Sequence, residues 1–119
     1  MNIINHDLGG TLVAEMQSGG IIIRSARDAA DIIRQLLERG IKKLILHERN
    51  LCPEMWEVSN GIAGAVLKKF ADATVDVAFV GRFDLQKSKS LQEFIKDNTC
   101  DQAFFVDTLD SAKTRLSKQ

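Results

Sequence analysis

Two short stretches hold most of the side chains that could do chemistry in this sequence. His47-Glu48-Arg49-Asn50 sets an imidazole beside a carboxylate, and a histidine so placed can be tuned to titrate near neutral pH and to act as acid or base. The plainer reading of the same four residues is a solvated loop in which Asn50 helps cap the next helix. Gly81-Arg82-Phe83-Asp84, followed by Lys87, Ser88, Lys89 and Ser90, gathers positive charge and hydroxyls just ahead of a helix start. Backbone amides there, with Lys or Arg, can hold a phosphate or a carboxylate. Ordinary capping explains this stretch too, with Ser90 and Glu93 as a capping box, and the spacing is not that of a P-loop. Ser25 with Asp28 three positions later also resembles a capping box.

Other candidates point to structure. Asn60-Gly61-Ile62-Ala63-Gly64 fits no phosphate-loop spacing and falls inside a helical pattern, so its glycines are expected to let that helix lie close to a neighbour. Met55 and Trp56 read as core, although a Trp near a helix start can reach the surface. Ser59 lacks the G-x-S-x-G context of a nucleophile. Cys52 and Cys100 belong to no C-x-x-C or Cys/His cluster at metal-ligand spacing and read as unpaired thiols. No motif implies a cofactor or a metal.

Composition narrows the class. The 16 basic and 16 acidic residues cancel and are interspersed, leaving no basic stripe to neutralise a nucleic-acid backbone. No apolar run approaches the roughly 20 residues needed to span a bilayer, and the first residues lack the charged and apolar regions of a signal peptide. A cytoplasmic protein with no nucleic-acid or membrane partner is expected. At 119 residues with 45% hydrophobic side chains, residues 1–119 should form one self-sufficient domain.

The elements that must position these residues follow from hydrophobic period. Apolar stretches at 3–4 and 11–16, split by Gly9-Gly10, read as a β-hairpin. Gly19-Gly20 then leads into a third strand at 21–24. Ala29, Ile32, Ile33, Leu36 and Leu37 recur at helical spacing and Gly40 supplies a left-handed stop. The consecutive apolar residues of 41–47 and 75–81 predict strands covered on both faces, neighbours in the sheet, with the former central. A second helix is predicted from near Pro53 to about Asp72, a third at 88–98, a last strand at 103–107 and a closing helix at 109–116. The result is α/β: a mixed, mainly parallel sheet with an N-terminal hairpin and about four helices. In such a sheet ligands bind outside the carboxyl ends of parallel strands, where helix N-termini also point. A functional site is therefore expected around Ser25, Asp28, His47, Glu48, Arg82, Asp84 and Ser88.

From about Ile21 to Leu116 the chain resembles the uncharacterised bacterial family called domain of unknown function 4180. The matching residues are Ser25, Asp28 and Asp31, the Leu51-Cys52-Pro53-Glu54-Met55-Trp56 turn, Gly61 and Gly64 before Lys69-Phe70, the 78–81 stretch, and Ser88 to Ile95 with Asn98. The element order is similar to the STAS fold of anti-sigma-factor antagonists, which bind partner proteins and are switched by phosphorylation of a Ser or Thr at the helix after a central strand. Here residues 47–56 contain no Ser or Thr, which argues against a conventional phosphoswitch. The resemblance implies a regulatory or binding module recognising a protein partner, and the basic, hydroxyl-rich stretch after Gly81 adds a small anion as the other candidate ligand. A small enzyme using His47, Glu48 and the Arg82/Asp84 loop is the competing class. A homodimer is also expected, since a small domain with an unpaired opening hairpin and Trp56 at its surface offers a two-fold contact.

Overall fold

Gly9 and Gly10 both take positive φ, 65° and 92°, which a tight two-residue hairpin turn demands. Strand β1 (Ile3–Leu8) thereby folds back on β2 (Thr11–Met16), with Leu8 opposite Thr11 and His6 opposite Val13. The computed structural model describes residues 3–83, 89–98 and 100–117. Strands β3 (Lys43–His47), β4 (Asp76–Val80) and β5 (Ala103–Val106) complete a single sheet in the order β1-β2-β3-β4-β5. Among the described residues only the hairpin pair is antiparallel; β2, β3, β4 and β5 run parallel. Leu44, Ile45 and Leu46 lie beside Val77, Ala78 and Phe79, and all six are fully buried, as continuous apolar runs require.

Alternation along these strands feeds two cores. Ala14, Met16, Leu44, Leu46, Val77 and Phe79 face one side, packed with α1 (Ala26–Glu38), α2 (Ile62–Ala73) and α3 (Lys89–Lys96). Val13, Ile45 and Ala78 face the other, where Ala112 and Leu116 of α4 (Leu109–Ser117) cover them. Buried Lys43 points to that second side and donates a hydrogen bond from Nζ to the Leu116 carbonyl, placing a cation at the negative end of α4. Burial raises the neighbouring Asp76 carboxyl above its ordinary value, and Lys43 opposes this only in part.

Two elements differ from expectation. Residues 21–24 form no sheet strand: Ile23 makes an isolated parallel bridge to Leu51, and the N–H groups of Ile22 and Ile23 both reach the Asn50 carbonyl at 2.8 and 3.0 Å. The place beside β3 is already taken by β2, so this segment pairs with the loop beyond the sheet. The second helix starts at Ile62 rather than near Pro53, after three short 3-10 turns at Glu48–Asn50, Pro53–Trp56 and Val58–Asn60. Gly61, at φ 79°, stands at its N-cap, and an added Cβ at Gly61 or Gly64 would meet nothing within 4 Å. Gly61 therefore serves backbone conformation, and close packing does not explain either glycine. Among the described residues no helix is long and apolar enough to cross a membrane.

Candidate functional site

The site begins with a charged residue in an apolar strand. Glu15 shares the α4 side of the sheet with Val13, and at 9% exposure it is nearly buried. Its register partners are Ile4 on β1 and Ile45 on β3. The residues two further along those strands, His6 and His47, therefore share its face, at the diagonal positions that long side chains can bridge. They do bridge: His6 Nε2 lies 2.8 Å from Glu15 Oε1, and His47 Nε2 lies 2.7 Å from Glu15 Oε2. An ionised carboxylate has no proton to give, so both imidazoles are held with Nε2–H as donor. Burial pushes the Glu15 carboxyl up, but the hydrogen bonds from His6 and His47, with their attraction for the charge, outweigh it and hold the group below the ordinary glutamate value.

His47 ends β3 and opens the 3-10 turn that Asn50 closes. Asn50 is fully buried. Its Oδ1 accepts the His47 N–H at 2.9 Å, and its Nδ2 donates to the carbonyls of Ser18 and Gly20 at 2.8 and 3.1 Å. Arg49 Nε donates to the same Ser18 carbonyl at 3.3 Å. Beyond this knot His47, Glu48, Arg49, Pro53, Trp56 and Val80 line a cavity of about 670 Å³. Half-buried Trp56 closes one wall, its ring edge-on to Phe83 at 5.1 Å. Trp56 packs against the core and also faces the cavity.

The expected residues are placed as follows. His47 and Glu48 meet at the cavity, but the carboxylate hydrogen-bonded to His47 is that of Glu15. Glu48 turns to the loop after β4, where its Oε1 accepts the Arg82 N–H at 3.2 Å. Arg82 itself is exposed. Ser25 and Asp28 stand at the start of α1, away from the cavity lining. Ser25 is the N-cap without a side-chain cap bond, and Asp28 Oδ2 accepts the N–H of Arg24, the residue before the cap, at 2.9 Å, so neither bond of that capping box forms. Asp84 and Ser88 lie outside the described residues, and Ser90 is the second residue of α3 rather than its cap. Cys52 and Cys100 are free, and among the described residues no three His, Cys, Asp or Glu side chains are grouped to hold a metal.

Glu48 and Gly81 are mutually constrained. A Cβ at Gly81 would fall 2.6 Å from Glu48 Oε1 and 2.9 Å from Glu48 Cβ. The carboxylate can swing aside, whereas the Cβ moves only with its backbone. Gly81→Ala should therefore cost about 1–3 kcal/mol through overpacking and detach Glu48 from Arg82, seen as a lower urea midpoint and a shifted Arg82 amide resonance. An unchanged midpoint would show that the turn yields freely.

Glu15 and His6 were not among the residues that sequence alone brought forward. The signal was present, since Glu15 is the one charged position in the stretch Thr11–Met16, on the inward face that Val13 defines. The sequence pattern of the family described as domain of unknown function (DUF4180) matches residues 8–116, and the chain belongs to that family. No curated protein and no solved structure matches it.

Proposed function

We propose that this DUF4180 member is a small STAS-like regulatory or binding module that takes a small anion, or an anionic group of a partner protein, at the carboxyl edge of β3. The observation that carries the reading is the cavity of about 670 Å³ in which His47, Arg49 and Trp56 converge. Pockets that bind small ligands combine an apolar wall with a few placed polar groups, and here Glu15 fixes one of them, the His47 ring, from behind. The mixed sheet with its opening hairpin supports the STAS-like reading. Titration of labelled protein with phosphate, sulfate and acetate is expected to shift the His47 and Trp56 signals. His47→Ala and Arg49→Ala should each weaken binding by about tenfold, the loss of one charge-assisted hydrogen bond. Affinity unchanged in both variants would sink the anion reading.

A second reading has its own support. An imidazole oriented by a nearly buried carboxylate at 2.7 Å is what a general base requires, so the same cavity suits an acid/base enzyme. The pair that would serve it is His47 with Glu15, in place of His47 with Glu48.

We further propose a homodimer through β1, the last strand on its side of the sheet. An antiparallel two-fold centred on His6 would set Ile4 against Leu8 of the second copy and keep both on one face. Sedimentation should report a dimer at high micromolar concentration, and a monomer there would end the idea.

A further inference from the structure

The opposite edge of the sheet offers a different surface, at β5. Val77 N–H donates to the Gln102 carbonyl at 2.7 Å and Gly81 N–H to the Val106 carbonyl at 3.0 Å. Even-numbered residues of this strand thus turn their amide groups to β4, and odd-numbered ones turn theirs outward. Ala103 is closed off within the chain: its N–H reaches the Cys100 carbonyl and its own carbonyl accepts from Asn98 Nδ2, both at 3.2 Å. Phe105 comes next, with its N–H and C=O facing an edge where no strand follows among the described residues.

A cavity of about 640 Å³ lies over this open stretch, between α3 and α4, with Phe83 and Phe105 among its lining and Gln92, Asp107, Asp110 and Arg115 as polar groups. Gln92 Nε2 is buried and has no hydrogen-bond partner among the described residues, a costly arrangement that an incoming acceptor would relieve. Asp107 and Asp110 are exposed, and neither takes part in an ion pair among the described residues. The Arg115 guanidinium lies over the Phe104 ring, 4.5 Å from its centroid, and keeps its positive charge. With two carboxylates against this one guanidinium, the charged lining is net negative. A second copy of this edge, turned antiparallel, would set these carboxylates against their own kind, which disfavours self-pairing here.

We infer that β5 accepts an extended, basic peptide segment of a partner protein as a sixth strand. The segment pairs with the Phe105 amide group, one of its backbone carbonyls accepts from Gln92 Nε2, and a Lys or Arg side chain meets Asp107 and Asp110. This surface is separate from the His47 cavity, and either assignment can fail without the other.

The probe is an acetylated and amidated heptapeptide alternating Val and Thr around a central Lys. It is compared with an analogue bearing Glu at the centre and with one N-methylated along the edge that pairs. Saturating Lys peptide should slow hydrogen exchange of the Phe105 amide by about tenfold or more. The Glu analogue, the N-methylated analogue and the protein variants Gln92→Ala and Asp107→Asn should each bind about tenfold more weakly. The analogues use intact protein, so a folding defect in a variant does not blunt the test. Unchanged Phe105 exchange, no binding of the Lys peptide at millimolar concentration, equal binding of the Glu analogue, or shifts confined to β1 or to the His47 cavity would each overturn the inference. So would Phe105 protection that rises with protein concentration in the absence of peptide, which would assign the edge to a second copy.

Discussion

Glu15→Gln should lose about 2 kcal/mol of folding stability at neutral pH, and the loss should shrink on acidification. Glu15 accepts from two imidazoles at 2.7 and 2.8 Å, and hydrogen bonds to a charged group contribute about 1.5–3 kcal/mol each before the cost of burial is deducted. Its carboxyl is held below the ordinary glutamate value when folded. A group depressed in this way contributes stability that is fully present above its unfolded value and is lost as pH falls through its folded value. Denaturant midpoints for the two proteins should therefore be furthest apart near pH 7 and converge below about pH 4, where glutamate protonates in unfolded chains. A gap that stays constant from pH 7 to pH 3 would mean that Glu15 acts by packing and not by charge. In this variant a neutral amide still orients His47 but no longer stabilises an imidazolium, so acid/base turnover would collapse, while anion binding would lose the part that His47 supplies and keep the part that Arg49 supplies.

Much of the fold is legible because hydrophobic period and turn chemistry agree. Gly9-Gly10 fixes the hairpin, Gly40 ends α1 at φ 73°, and the two apolar runs place β3 and β4 side by side at the middle of the sheet. What escaped has a common physical form. Val58, Ile62, Val66 and Phe70 keep helical spacing across a break, because the left-handed Gly61 interrupts the backbone without disturbing the apolar pattern. The segment 21–24 has strand composition, and its hydrogen bonds go to a loop. Periodicity reports which residues are buried, not which partner their amides find.

The site shows the same limit. Hairpin register alone puts His6 opposite Val13, so its proximity to Glu15 follows from a two-residue turn. The approach of His47 depends on β2 and β3 pairing in parallel with Glu15 beside Ile45, a register set by the packing of both cores. No local residue pattern encodes it. His47 and Glu48, adjacent in sequence, do share the cavity lining, yet their hydrogen bonds go to different partners, Glu15 and the Arg82 N–H.

Asn50→Ala should be among the most damaging single changes outside the hydrophobic core, costing about 2–4 kcal/mol. Asn50 is fully buried and joins two chain segments: Oδ1 takes the His47 N–H within its own turn, and Nδ2 serves the Ser18 and Gly20 carbonyls of the loop after β2. Truncation strands these partners, at about 1–3 kcal/mol for each that water cannot reach, and leaves a void. Gly20 is exposed and Ser18 half-buried, so water can rescue part of the loss, which is why the total falls short of three full penalties. Asn50→Asp is the more discriminating variant. It keeps the acceptor for His47 but sets a carboxylate against two carbonyl oxygens, so protonation should favour its folded state. Its stability relative to the native protein should fall as pH rises through the ordinary aspartate range, a contribution opposite in sign to that of Glu15. Asn50→Ala should also loosen Arg49 and the 3-10 turn after His47, weakening ligand binding at the cavity even in the folded fraction. Denaturant titration of both variants at pH 4 and pH 7 checks the argument. A cost for Asn50→Ala below about 1 kcal/mol, or a stability deficit of Asn50→Asp relative to the native protein that is no larger at pH 7 than at pH 4, would show that these three hydrogen bonds do not hold the carboxyl-edge loops together.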